Sequence, residues 1–265
     1  MLLALDVGNT NIVLGLFDGD QRDAGAGGML VRDWRMHTDA RMTADELALT
    51  VRGLLGEYSG KVTGIAALST VPALLRELRV MLDRYWSPQP RVIVEPGVRT
   101  GVPLLYDNPR EVGADRVVNT LAAYTLYGGP AIVVDFGTST NFDVISARGE
   151  FLGGALAPGI EISVDALAAR AAQLVKVQLV RPRSVIGKST VEALQSGLLF
   201  GFAGQVDGLV SRITAELTPA VNSEVVVVAT GGLAPLLIAE SKTITHHAPD
   251  LTLQGLRMVY ARNIS

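Results

Sequence analysis

The chain contains no cysteine, which removes a disulfide framework, thiolate-ligated zinc and a thiol nucleophile. Its three histidines, His37, His246 and His247, lack metal-ligand spacing. Net charge is also scarce: −3 at pH 7, with a pI near 5.7. No basic field is available to hold a polyanion, so neither nucleic acid nor an anionic membrane surface is an expected partner. Long apolar runs are missing too. The longest, such as Val225 to Ala229, are strand-sized and far short of the roughly 18 residues of a spanning helix. Met1-Leu2-Leu3-Ala4-Leu5 runs straight into Asp6, with neither the basic flank nor the apolar stretch of a signal peptide. These absences predict a soluble, cytoplasmic protein whose chemistry rests on carboxylates, hydroxyls and backbone groups.

The 265 residues suffice for two domains, and 48% hydrophobic with 18% charged residues places the chain among folded globular proteins. Short β-branched runs alternate with helical patterns, which predicts an α/β fold. Strands are expected at Leu2–Asp6, Ile12–Phe17, Asp33–His37, Gly64–Ser69, Arg91–Val94, Ala131–Asp135, Asn141–Ser146 and Val225–Ala229. Helices are expected at Ala44–Gly56, Pro72–Tyr85, Pro109–Tyr127, Ser163–Leu174, Thr190–Leu217 and Ala234–Ser241. The Gly-rich stretch Asp18–Gly28 reads as a mobile hairpin loop.

An internal repeat carries more information. Leu2-Leu3-Ala4-Leu5-Asp6-Val7-Gly8-Asn9-Thr10 returns as Ala131-Ile132-Val133-Val134-Asp135-Phe136-Gly137-Thr138-Ser139, each followed by a strand. Ile65 to Ala73 likewise echoes Val227 to Pro235. Two homologous α/β domains are implied, residues 1–127 and 128–265, with a ligand cleft between them.

Asp6 and Asp135 each end an apolar strand and open a turn of Gly, Asn, Ser and Thr. A carboxylate there is costly to bury without a cation, while the turn offers amide and hydroxyl donors to an anion. Either turn alone is ordinary turn chemistry. Its recurrence points to a metal–phosphate clamp. The arrangement resembles the acetate and sugar kinase, Hsp70 and actin superfamily, in which two ribonuclease-H-like domains hold ATP between paired phosphate hairpins. By that resemblance Thr230-Gly231-Gly232 is an adenosine-binding turn. Gly187-Lys188-Ser189-Thr190 mimics the end of a Walker A loop, but Pro182 stands where the first glycine is required. Ser189 and Glu192 fit a helix capping box instead.

Asn108-Pro109 suits a helix start, which would place Glu111, Asp115 and Asn119 on one face. Such a polar stripe is often merely solvated, yet small Gly113 and Ala114 beside Asp115 suit an accessible carboxylate. The Asp6-Val7-Gly8-Asn9-Thr10-Asn11, Gly113-Ala114-Asp115-Arg116, Asp135-Phe136-Gly137-Thr138 and Gly153-Gly154-x-x-x-Pro158-Gly159 segments, in this order, resemble the type III pantothenate kinase family over nearly the whole chain. The Asp18–Gly28 loop is longer and richer in glycine than is usual there.

That resemblance implies phosphorylation of pantothenate by ATP and Mg²⁺, the first step of coenzyme A biosynthesis. It implies that Asp6, Val7, Gly8, Asn9, Thr10, Asn11, Ile12 and Val13 contact ATP and its metal, with Thr138 also on the nucleotide. Tyr106, Gly113, Ala114, Asp115, Arg116 and Thr190 would bind pantothenate, Asp115 would be the general base, and Asp135 would ligate a monovalent cation, K⁺ or NH₄⁺. Arg116 suits the pantothenate carboxylate, with an ion pair to Glu111 or Glu161 as the alternative. Gly197, Gly201, Gly204 and Gly208 line one helix face that allows close approach, within the domain or to a second subunit. The resemblance favours a homodimer. Two other readings stay open: another phosphotransferase or polyphosphatase of the same superfamily, and a non-enzymatic transcriptional accessory protein.

Overall fold

A computed structural model describes residues 1–19, 28–170, 177–217 and 224–264. It divides into two compact units.

The first unit is built on a five-stranded sheet. In chain order its strands are β1 (Leu2–Val7), β2 (Asn11–Asp18), β3 (Met29–His37), β4 (Gly64–Ser69) and β5 (Arg91–Ile93), and in space they run β3-β2-β1-β4-β5. β1 pairs with β2 antiparallel and with β4 in parallel. Helices α1 (Ala44–Leu55), α2 (Pro72–Tyr85) and α3 (Ala114–Tyr127) complete the chain up to residue 127. Because strand side chains alternate between faces, Leu3, Leu5 and Val7 enter one core with Leu47, Val51, Leu74 and Leu78 of α1 and α2. Leu2, Ala4 and Asp6 therefore belong to the opposite face.

The second unit repeats this topology. Its strands are β6 (Ala131–Phe136), β7 (Ser139–Ile145), β8 (Phe151–Pro158), β9 (Val226–Thr230) and β10 (His246–His247), in the spatial order β10-β9-β6-β7-β8. β6 pairs with β7 antiparallel and with β9 in parallel, as β1 does with β2 and β4. Helices α4 (Ile160–Arg170), α5 (Thr190–Leu217) and α6 (Ala234–Ile238) belong to this unit. Ile132, Val134 and Phe136 join a core with Leu199, Ala203 and Val206 of α5, which leaves Asp135 on the other face. Each repeated Asp thus sits one residue before the end of its strand, turned away from its main core.

Several sequence expectations change, and β8 and β10 are strands that were not expected. The helix α7 (Leu251–Asn263) was not expected either, and it belongs to the first unit although it ends the chain. The division at 127/128 therefore misplaces the last residues. The reason is packing: a Cβ at Gly15 would lie 2.8 Å from Leu253, and one at Gly255 would collide with the Val118 carbonyl oxygen of α3. Small Ala4 and Gly15, partners across β1 and β2, let this helix lie close to the sheet. The helix expected at Pro109–Tyr127 also breaks. A 3₁₀ turn covers Pro109–Glu111, and α3 begins only at Ala114. Residues 20–27 of the Gly-rich stretch and 171–174 of the helix expected at Ser163–Leu174 lie outside the described residues.

Gly255→Ala tests the α7–α3 contact. Alanine normally gains about 1 kcal/mol over glycine inside a helix. Here the obstructing atom is backbone and cannot rotate away, and overpacking costs about 1–3 kcal/mol. The expected net result is a lower melting temperature in a thermal unfolding scan; an unchanged or higher one would mean the contact is slack.

Candidate functional site

The first turn is held from both sides. Gly8 N–H donates to the Asn11 carbonyl at 3.0 Å, closing the hairpin. Thr38, just past β3, donates its hydroxyl to the Gly8 carbonyl at 2.7 Å and its N–H to the Thr10 carbonyl at 3.0 Å. Just past β4, Thr70 N–H reaches the Val7 carbonyl at 3.0 Å, and its hydroxyl accepts from the Asn9 side-chain amide at 3.3 Å. Asn9 and Thr10 are exposed, Asn11 and Val13 are half-buried, and the Val7 and Ile12 side chains are fully buried. Val7 and Ile12 therefore anchor the turn, and any ligand contact they make is through their backbone.

Asp6 lies in a row of side chains across the sheet: it faces Val13, which faces Arg35. Residues directly opposite in neighbouring strands project from the same face. Burial pushes the Asp6 carboxyl up from 3.8 to about 7, the Asp115 carboxylate adds to the rise, and Arg35 opposes it. Asp115 is the second residue of α3 and is also raised, by burial first, against the Arg116 N–H and guanidinium. A carboxylate whose ionisation is hindered by burial and by a second carboxylate makes a site that gains from a cation. The helix start offsets this in part, since its dipole favours negative charge.

Gly113 has a specific reason to be glycine: a Cβ there would fall on the Asp115 carboxylate. The expected stripe of Glu111, Asp115 and Asn119 does not exist as one face, because the helix is interrupted before Ala114. Glu111 instead accepts from the Asn108 side-chain amide at 2.7 Å. Asn119 is buried and accepts from the Thr252 hydroxyl of α7 at 2.9 Å, a structural role. Arg116 is buried, at 8% exposure.

In the second unit, Asp135 precedes a hairpin closed by Gly137 N–H on the Ser139 carbonyl at 3.0 Å. Gly159 N–H holds the Thr138 carbonyl at 3.2 Å, and Thr138 is exposed. Gly231, at φ 89°, approaches so closely that a Cβ would stand 2.5 Å from the Phe136 oxygen and 2.6 Å from Asp135 Oδ1. The small-residue turn after β9 is therefore pressed against the Asp135 hairpin, and only glycine allows it. Tyr106, at 36% exposure, stacks at 5.9 Å on Phe151, with Gly153 beneath its ring edge. Thr190 is exposed at the first position of α5. The capping box there is half formed. Ser189 Oγ accepts from Glu192 N–H at 3.2 Å, but the Glu192 carboxylate takes Lys188 N–H at 3.0 Å and Arg183 at 2.6 Å.

Among the described residues no three His, Asp or Glu side chains gather as a metal cage would require. One or two carboxylates beside a phosphate-binding turn are what a divalent ion carried in by a nucleotide needs, since such ions keep several waters and bind phosphate oxygens. Asp6 and Asp115 fit that pattern. Arg35 and Thr38 escaped sequence reading. Arg35 lies within β3 and Thr38 just past it, but only the pairing of β2 with β3 and the Thr38 hydrogen bonds place them beside Asp6 and Gly8.

Residues 2–212 match the family model described as type III pantothenate kinase. A type III pantothenate kinase of Saccharopolyspora erythraea is 73% identical over 99% of both chains. One from Rhodococcus jostii is 66% identical over 99% of this chain and 96% of that one. Among solved structures, the activator of 2-hydroxyisocaproyl-CoA dehydratase from Clostridium difficile, with bound ADPNP, has a TM-score of 0.55 at 11% identity, covering 99% of this chain and 93% of that one. The inorganic polyphosphate/ATP-glucomannokinase of an Arthrobacter strain has a TM-score of 0.51 at 13% identity, covering 98% of both chains. These structures share the two-domain α/β fold.

The raised Asp6 pKa has a defined sign. Unfolding releases the proton that the folded carboxyl retains, so metal-free protein loses stability as pH rises from about 4 to about 7. Asp6→Asn is expected to melt on the order of 5 °C higher than the parent near pH 8 without divalent ions, with no gain near pH 4. Coincident melting curves at the higher pH would show that the carboxylate is not penalised there.

Proposed function

This chain belongs to the type III pantothenate kinase family, and from that premise we propose how its residues divide the work of phosphorylating pantothenate with ATP. The reaction transfers the γ-phosphoryl group of ATP to the primary hydroxyl of pantothenate, giving 4′-phosphopantothenate for coenzyme A biosynthesis. The observation that carries the division of roles is the pair of hindered carboxylates, Asp6 and Asp115, beside the hydrogen-bonded Gly8–Asn11 turn.

Asp6 to Val13 contact ATP, the turn amides receive phosphate oxygens, and Asp6 takes part in holding Mg²⁺. The metal, when bound, neutralises charge on the phosphates. Thr138 contacts the nucleotide from its own hairpin. Asp115 receives the proton of the pantothenate hydroxyl; its raised pKa makes it a stronger base than an exposed aspartate. Gly113, Ala114, Arg116, Tyr106 and Thr190 bind pantothenate, with Arg116 toward its carboxylate. That use rests on arginine's preference for bidentate pairing with a carboxylate, with an ion pair to Glu111 or Glu161 as the alternative. Asp135 ligates K⁺ or NH₄⁺.

The protein acts as a cytoplasmic homodimer without nucleic-acid or membrane partners. No helix among the described residues is long and apolar enough to cross a membrane. Gly197, Gly201, Gly204 and Gly208 of α5 are exposed, and a Cβ at any of them would meet nothing within 4 Å. That face is not used within the described part of its own unit, which favours the second subunit over the internal alternative.

ATP- and pantothenate-dependent formation of 4′-phosphopantothenate by purified protein tests the assignment directly; product formed equally with other small alcohols would favour a broader phosphotransferase. Asp115→Asn is expected to lower kcat by roughly 10² or more while nucleotide affinity stays near the parent's. Loss of nucleotide affinity with normal turnover at saturation would move Asp115 to the ATP site. Asp135→Ala is expected to remove activation by K⁺ and NH₄⁺ along with most of the activity. Full parental activity in buffer free of both ions would refute the cation role.

A further inference from the structure

A turn that binds phosphate must show its N–H groups to the ligand and hide its carbonyl oxygens. In the Gly8–Asn11 turn two carbonyls, those of Gly8 and Thr10, are taken by Thr38. Its hydroxyl takes the Gly8 carbonyl at 2.7 Å and its N–H takes the Thr10 carbonyl at 3.0 Å. In a planar trans peptide the C=O and the following N–H point in opposite directions. Fixing the Gly8 and Thr10 carbonyls on Thr38 therefore turns the N–H groups of Asn9 and Asn11 away from β3. The Gly8–Asn9 peptide needs such a restraint. Glycine permits either orientation of that plane, and a flip would present the Gly8 oxygen where the Asn9 N–H had been. An oxygen facing a triphosphate repels it.

We propose that Thr38 is a positioning residue whose hydroxyl locks the Gly8–Asn9 peptide in its anion-accepting orientation and so sets the affinity for ATP. This rests on the assignment of the turn to the ATP phosphates. Thr38 itself is half-buried behind the turn and, with its hydroxyl spent on Gly8, acts only through the backbone. A population with the peptide flipped lowers apparent affinity by the fraction lost, without altering the proton-accepting group.

The discriminating variant is Thr38→Val, which keeps the shape and the N–H bond to Thr10 but deletes the hydroxyl. Thr38→Ala is the companion if valine perturbs folding, and Thr38→Ser restores the donor. Each is measured by calorimetric titration with a non-hydrolysable ATP analogue and Mg²⁺, and by steady-state kinetics. Valine and alanine variants are expected to bind the analogue roughly 5- to 10-fold more weakly and to raise KM for ATP alike. KM for pantothenate and kcat at saturating ATP stay near the parent's, and serine recovers parental affinity. Parental affinity in well-folded valine and alanine variants would overturn the proposal, as would an equal loss for both substrates. A parent that phosphorylates pantothenate normally while the variants stay unaffected sinks only the role of Thr38. A parent that fails to bind the analogue at all sinks the phosphate assignment with it.

Discussion

Burying a carboxylate at the end of an apolar strand costs free energy unless a cation or several donors meet it. Asp6 is in that position, and its pKa near 7 is the measure of the cost. Much of the first unit is arranged around it. The alternation of β1 sends Leu3, Leu5 and Val7 into the α1–α2 core, which turns Asp6 to the other face. α7 lies on that face of the sheet and, through Gly255 against Val118, holds α3. The start of α3 presents Asp115 near enough to hinder Asp6 further. By itself the pair opposes ionisation of Asp6. Its retention is understandable if a metal-bound nucleotide compensates the charge when it arrives.

The second unit solves a related problem differently. Asp135 occupies the same strand position, but its hairpin is packed by Gly231 and Gly159, both at distances where only glycine fits. Backbone approaches its carboxylate from the turn after β9. The repeat therefore conserves topology while the chemistry diverges: one aspartate meets another carboxylate, the other meets glycine backbone.

Pinning of the Gly8–Asn11 turn by Thr38 and Thr70 adds rigidity where binding of a ligand would otherwise have to order the chain. A turn whose Gly8 and Thr10 carbonyls are already occupied needs less reorientation of its dipoles on binding. Its side chains Asn9 and Thr10 remain exposed, while Val7 and Ile12 root it in the core. Rigid backbone under exposed polar groups is what positioning of a transferring phosphoryl group requires.

The sequence by itself determined the α/β class, the repeat, most elements and both Asp-x-Gly turns, because these depend on local alternation and on turn residues that admit few conformations. Pro72–Tyr85 and Thr190–Leu217 were legible to the residue for that reason. Only the tertiary structure decided the rest. The helix expected at Pro109–Tyr127 was replaced by a 3₁₀ turn and α3, with extended backbone at Val112 between them, a break that the sequence pattern did not mark. α7 joined the first unit because Gly15 and Gly255 leave room for it, a contact between residues far apart in the chain. Arg35 and Thr38 reached the site through the pairing of β2 with β3, which the residue pattern of either strand taken alone does not fix.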